Sequence, residues 1–412
     1  MAHGLSVHGP DCHCVVREEY RRAQEGFDEH RRALARGEGV PAVVAPSEFA
    51  TRQWIDDELR GLSQDVAARR RAHGRAALRL LGTRTLAGLW AAVVVLVLVQ
   101  ALTAIGPGWT VARTAALTAA AVTVAVLSGV AIWTREGAGL YAPVRGLDGR
   151  LSTSKAVAAL WAVVLTYVFV FFAVRLAAAS RPGDRSELLH HLGEVAADQI
   201  VLVAVPLFVA VLVRRLVGDK VNRRVLQKPY ADRAFLRDLV TDDTGRSALA
   251  DAQYILVNLV AAGFLLVGLA RDPEELPDAP ATLVVLAGIS AVVYLAAKLT
   301  ENNRPVILSV VRVHVPGSLD NALRQGDDIE IRGTNLVGAG VREPDQLARV
   351  VVRFGAMHQY APLVPTETGF ANPCDAVVVV PIPLDVEPGR VELCVVSASG
   401  VESNPYEIEI AD

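Results

Sequence analysis

The chain has 412 residues, 52% of them hydrophobic and 21% charged, with a mean hydropathy of +0.34. A positive mean hydropathy is unusual for a purely soluble protein, and a formal net charge of −3 excludes a globally basic nucleic-acid binder. Only Lys155, Lys220, Lys228 and Lys298 are lysines among 41 basic residues, and the apolar mass is mostly Ala, Val and Leu. That usage points to a GC-rich bacterial genome.

Residues 1–83 are charged and precede the first long apolar run, so no signal peptide is expected. His8, Cys12, His13 and Cys14, with Asp11, form the metal-type cluster. Thiolate and imidazole suit zinc. Cys-x-Cys without a second, distant pair departs from the common zinc spacings, and a disordered tail over 1–14 is the competing reading. A charged helix is expected over 15–36, a break at 37–41, and a second helix after Ser47, a suitable N-cap. In that second helix Ile55, Leu59, Leu62 and Val66 recur at helical spacing. This face would pack on the first helix or on a second copy in a homo-oligomer. The Arg-rich run from Arg69 to Arg84 is expected to meet an anionic membrane surface.

From 84 to 300 the chain carries six apolar stretches, at 86–105, 112–133, 156–176, 196–217, 252–270 and 280–299. About twenty apolar residues at ~1.5 Å each cross the ~30 Å hydrocarbon core, so six transmembrane helices are expected. The run from Val93 to Val99 has no polar face at all, unlike a helix of a soluble bundle. Lys and Arg flanking the stretches number 21 on one side and five on the other. The basic excess marks the cytoplasmic side, so both termini are expected in the cytoplasm of a bacterial inner membrane.

Few polar groups interrupt these stretches. Asp198 and Gln199 open the fourth, and Asn258 lies in the inner half of the fifth. They would line a solute pathway in a channel or transporter, or simply occupy solvated helix ends. Ala115, Ala116, Ala119 and Ala120 make a close-packing face in the second stretch. Asp148-Gly149-Arg150 and Thr244-Gly245-Arg246 each precede a span by about five residues, with Lys155 falling on Asp251 when the glycines are aligned. Two copies of one hairpin are expected, and Arg150 and Arg246 would either contact lipid headgroups or an anion or belong to ordinary turns. Segments 149–155 and 286–290 are similar to motifs of bacterial multi-span membrane proteins, a resemblance that implies no activity.

After Pro305 the period becomes alternating, with strands expected at 306–313, 327–332, 348–354, 375–381, 390–397 and 405–410. Short strands at this density indicate a β-sandwich. Gly326-Asp327-Asp328-Ile329-Glu330-Ile331-Arg332-Gly333-Thr334-Asn335-Leu336 resembles the opening motif of the IPT/TIG immunoglobulin-like domain. Segments 350–355, 389–397 and 403–406 resemble its later strands. The stretch 337–347 departs from the pattern by lengthening one loop. The resemblance implies an interaction or spacer module over 305–412. Seven Arg against fifteen Asp and Glu make this part acidic and a poor partner for nucleic acid. Asp327 and Asp328 lack a calcium loop, and Cys374 and Cys394 should stay thiols in a reducing cytoplasm.

No nucleophile–base pair, metalloprotease motif or phosphate loop is visible, so neither catalytic residues nor a cofactor are expected. The reading is an α-helical polytopic membrane protein with a C-terminal all-β immunoglobulin-like sandwich. It would serve as a scaffold or sensor whose 305–412 part binds a cytoplasmic protein. A channel or transporter using Asp198, Gln199 and Asn258 is the alternative.

Overall fold

The computed structural model describes residues 13–106, 108–135, 139–193, 197–242, 245–274, 276–313, 322–338 and 340–411, without the side chains of 184 and 191–198. Helix α1 (His13–Ala35) is laced on its exposed face by Arg21 to Glu18 and Glu25, pairs worth only a few tenths of a kcal/mol each. The chain then turns through Gly37 and Gly39, both at positive φ, where a side chain would be strained. Ser47 caps the next helix by accepting from the Ala50 amide at 3.3 Å.

That helix, α2 (Glu48–Thr103), runs unbroken for 56 residues, about 84 Å. Its composition changes from charged to apolar near residue 86, yet no proline interrupts the hydrogen-bond ladder. The boundary expected at residue 83 is therefore one of solvent preference and not of backbone. Ile55, Leu62 and Val66 pack with buried Leu59 against Phe27 and Leu34 of α1 and against the strands described below. Their apolar face is used within the chain.

Five more long helices follow: α3 (Val111–Trp133), α4 (Thr153–Ala178), α6 (Ala197–Asn222), α7 (Leu249–Arg271) and α8 (Ala281–Thr300), with the shorter α5 (Pro182–Gly193) after α4. With α2, they make six helices long and apolar enough to cross a membrane. Helix α4 is the centre, packing on α3, α6 and α7, while α8 packs on α6 and α7. Trp161 of α4 is fully buried there, and Ala115 and Ala119 bring α3 close to it. The apolar end of α2 joins the bundle through α3, and its most apolar window has no buried residue.

The C-terminal part is β-rich. Strands β1 (Val306–Arg312), β2 (Asp328–Thr334) and β7 (Val377–Pro381) form one antiparallel sheet in the order β1-β2-β7. Strands β3 (Val351–Phe354), β4 (Met357–Tyr360), β8 (Gly389–Val396) and β9 (Tyr406–Ile410) form a second, ordered β4-β3-β8-β9. A small hairpin joins β5 (Val364–Pro365) and β6 (Phe370–Asn372). Alternation decides what each sheet buries: Ile329, Ile331, Val378 and Val380 from the first, and Val352, Phe354, Leu393 and Val395 from the second, enter one apolar core. A one-turn helix, α9 (Pro344–Leu347), sits in the lengthened 337–347 stretch.

Candidate functional site at the inner end of the helices

The helix ends nearest the strands, termed inner, are organised by two matching turns. Before α4, Arg145 bridges to Leu151 around Gly149 at φ +82; before α7, Thr241 bridges to Ser247 around Gly245 at φ +80. Each partner in the second turn lies 96 positions after its counterpart. The bonds repeat as well: Gly146 N to Arg150 O at 2.7 Å matches Asp242 N to Arg246 O at 2.8 Å, and Ser152 N to Val144 O matches Ala248 N to Val240 O, both 2.9 Å. In each turn an aspartate accepts from the arginine's own amide, Asp148 for Arg150 and Asp242 for Arg246. The likeness expected around Gly149 and Gly245 is present in the backbone of the two turns.

The two turns meet. Arg150 Nη1 donates to Asp242 O at 3.3 Å, and Thr153 Oγ1, in the first turn of α4, donates to Leu239 O at 2.9 Å. Between them and the inner ends of α6 and α8 lies a cavity of about 260 Å³. Asp148, Asp238, Asp251 and Glu301 are its acids, and Arg150, Lys155, Arg214, Lys228 and Lys298 its bases. Lys298 bridges Asp251 at 3.4 Å and Glu301 at 3.6 Å, and Lys228 also reaches Glu301 at 3.2 Å. Asp238 accepts from the Phe235 amide at 2.8 Å, and burial pushes its carboxyl above the usual aspartate range. Tyr294 forms the deep wall and stacks on buried Tyr254, ring centroids 4.5 Å apart.

Beside the cavity, Arg70 ties three parts of the chain together. Its guanidinium bonds Asp232 of the α6–α7 connection at 2.7 Å, Asp345 of α9 at 2.9 Å, and Glu343. Arg70, Asp232 and Asp345 are all at least nine-tenths buried in their side chains, so these charge-assisted bonds are poorly screened. Gly74, one turn on, lets α2 lie against the Asp232 carbonyl, where any Cβ would collide. Arg70 is thus an intramolecular junction and not part of a membrane-facing basic run. Further pins join the strands to the helices: Gln227 Nε2 donates to Asn303 O and Asn335 O, Arg60 Nη1 to Ala348 O, and Arg304 Nη2 to Ser403 O. Lys220 donates to the carbonyls of Lys298, Leu299 and Glu301 at the end of α8, where the helix dipole favours a cation.

The residues singled out in the sequence fall in separate places. Arg150 lines the cavity, whereas Arg246 is exposed and outside it. Asn258 is buried, accepts from Trp161 Nε1 at 2.8 Å and donates to Tyr254 O at 2.8 Å. Gln199 sits at the opposite, outer end and donates to Leu276 O and Pro277 O. Pro277 packs on Gly268, ten residues beyond Asn258 on α7 and so about 15 Å along its axis. Gln199 and Asn258 therefore lie at different depths of the bundle. The side chain of Asp198 lies outside the described residues, as do His8 and Cys12. His13 and Cys14 begin α1, with the His13 ring 5.6 Å from that of His73. Among the described residues no three metal-type side chains come together.

Sequence reading missed Lys155, Arg214 and Asp251 as members of one cavity, although the glycine alignment paired Lys155 with Asp251. It also missed the pairing of Arg70 with acids 162 and 275 positions away. No protein-family model, curated protein or solved structure matches the chain.

Proposed function

We propose that this protein is an integral scaffold or sensor of a bacterial inner membrane, with its six apolar helices spanning the bilayer and both termini cytoplasmic. In this reading 305–412 is an immunoglobulin-like sandwich of IPT/TIG type that binds a cytoplasmic protein. The observation that carries it is α2: one helix whose most apolar stretch is unburied and whose charged part is bonded to the strand region through Arg60 and Arg70. A freely hinged anchor would need no such bonding. The basic excess at the inner helix ends supports the orientation. The shared core of the two sheets supports the sandwich.

Strand β4 is an edge of its sheet and leaves Met357 and Tyr360 exposed, which suits recognition by strand addition or by a side-chain patch. Two measurements test the reading. A reporter fused after residue 412 should be active in the cytoplasm; periplasmic activity overturns the orientation. In-cell photocrosslinking from His358 should capture a discrete protein, lost when crosslinking is moved to Glu407 on β9. Capture equal at both positions overturns the β4 assignment.

A further inference from the structure

The inner cavity holds more positive charge than its acids neutralise. Lys228 and Lys298 are spent on Asp251 and Glu301, and Arg150 is spent on the Asp242 carbonyl. Lys155 is different: its one hydrogen bond goes to a carbonyl, Arg145 O at 2.7 Å. Arg214 makes no hydrogen bond or ion pair among the described residues, and it stands close enough to Lys155 for the two to repel each other. Asp148 attracts Lys155, yet the lining still carries five cations against four carboxylates, an imbalance that an added anion would relieve.

The wall beside Lys155 also carries hydroxyls, of which Thr153 is already donating to Leu239 O. Thr153 and Ser154 are buried, at 5% and 3% exposure, and Ser152 at the N-cap of α4 makes no capping bond. Ser152 Oγ instead lies 3.3 Å from Ser154 Oγ, so two hydroxyls border the space with the two cations. Across the cavity Val213, Val217 and Val221 of α6 give an apolar side. An ammonium, a guanidinium and two hydroxyls together match a group with three or more strongly accepting oxygens.

We propose that this cavity binds a phosphate-bearing anion, held by Lys155 and Arg214 with Ser152 and Ser154, and that the anion is the stimulus of the sensor proposed above. The chemistry is common to a phospholipid headgroup and to a soluble phosphate. The inference rests on the sensor reading for its role and on membrane placement only for a lipid source.

The test uses the purified full chain in detergent and reads the thermal midpoint. Two probes are added separately: sodium phosphate against sodium chloride at equal ionic strength, and phosphatidylglycerol against diacylglycerol in mixed micelles. At least one phosphate probe should raise the midpoint by about 3 °C or more. A rise with phosphatidylglycerol alone assigns the headgroup; a rise with inorganic phosphate assigns a soluble source. Arg214→Gln alters an exposed, unbonded side chain and should fold, yet weaken the effective probe at least about tenfold. Arg342→Gln, on an exposed loop of the strand region, should leave it unchanged. No rise with either probe, or an equal rise in Arg214→Gln, overturns the proposal. A periplasmic C-terminus would overturn the sensor orientation and leave the inorganic phosphate result standing on its own.

Discussion

The turns before α4 and α7 share a backbone and differ in almost everything attached to it. Both place a glycine near φ +80 and close the same bridge, 96 positions apart. The first is wedged under the α6–α7 connection, where Ala231 N bonds Asp148 O at 2.7 Å and a Cβ on Gly149 would strike the Ala231 carbonyl. The second has open space at Gly245. Local chemistry therefore fixes the turn, and the surroundings decide what the turn is for. The first turn walls the cavity and the second clasps its rim.

That contrast can be broken by substitution. Gly149→Ala should cost about 3 kcal/mol or more, because left-handed strain adds to a backbone collision. Asp251→Ala comes next, at about 2–3 kcal/mol, since it leaves Lys298 with only the more distant Glu301. The matched position in the other copy, Lys155→Ala, should cost under about 1 kcal/mol because it also relieves repulsion with Arg214. Gly245→Ala should cost about 1 kcal/mol, from its φ alone. Denaturant titration of the purified variants checks all four, and equal costs for the two glycines would refute the contrast.

Smaller effects sharpen it. Arg150→Ala should lose about 0.5–1 kcal/mol with its bond to Asp242 O, while Arg246→Ala should stay within about 0.5 kcal/mol of the parent. Asp238 supplies a pH signature. Its folded carboxyl titrates above its unfolded value, so between those values the folded state binds more protons and stability falls as pH rises. Asp238→Asn should remove that slope from a pH series of melting midpoints beginning just above the ordinary aspartate range. An unchanged slope would assign it to other groups.

Periodic features were legible in the sequence because they are local. The apolar run through Val93–Val99, the alternation of Ile329 and Ile331, the cap at Ser47 and the glycines of both turns each announce themselves within a few residues. The continuity of α2 was legible too, as the lack of any proline between Ser47 and Thr103, but a sharp change in hydropathy masked it. What stayed hidden were partnerships over long separations. Nothing near Arg70 distinguishes it from Arg69 or Arg71, since its acids are brought in by the α6–α7 connection and by α9. The partner of Asn258, Trp161, lies 97 positions earlier. The lengthened 337–347 stretch, read as a departure from the immunoglobulin-like pattern, contains Glu343 and Asp345. With the bonds of Arg52 and Arg60, that stretch fastens the strands to α2.

The length of α2 sets a mechanical ratio. Arg70, its most heavily bonded residue, lies 22 residues from Glu48 and 33 from Thr103, arms of about 33 and 50 Å. A rigid rod pivoting there by 5° would swing its apolar tip by about 4 Å and its strand-bearing end by about 3 Å the opposite way. Arg52 and Arg60, bonded to Asp328 and Ala348 O, sit on the short arm and would carry the strands with it. A modest tilt of the apolar arm is thus delivered to the sheets as a reversed displacement of nearly the same size.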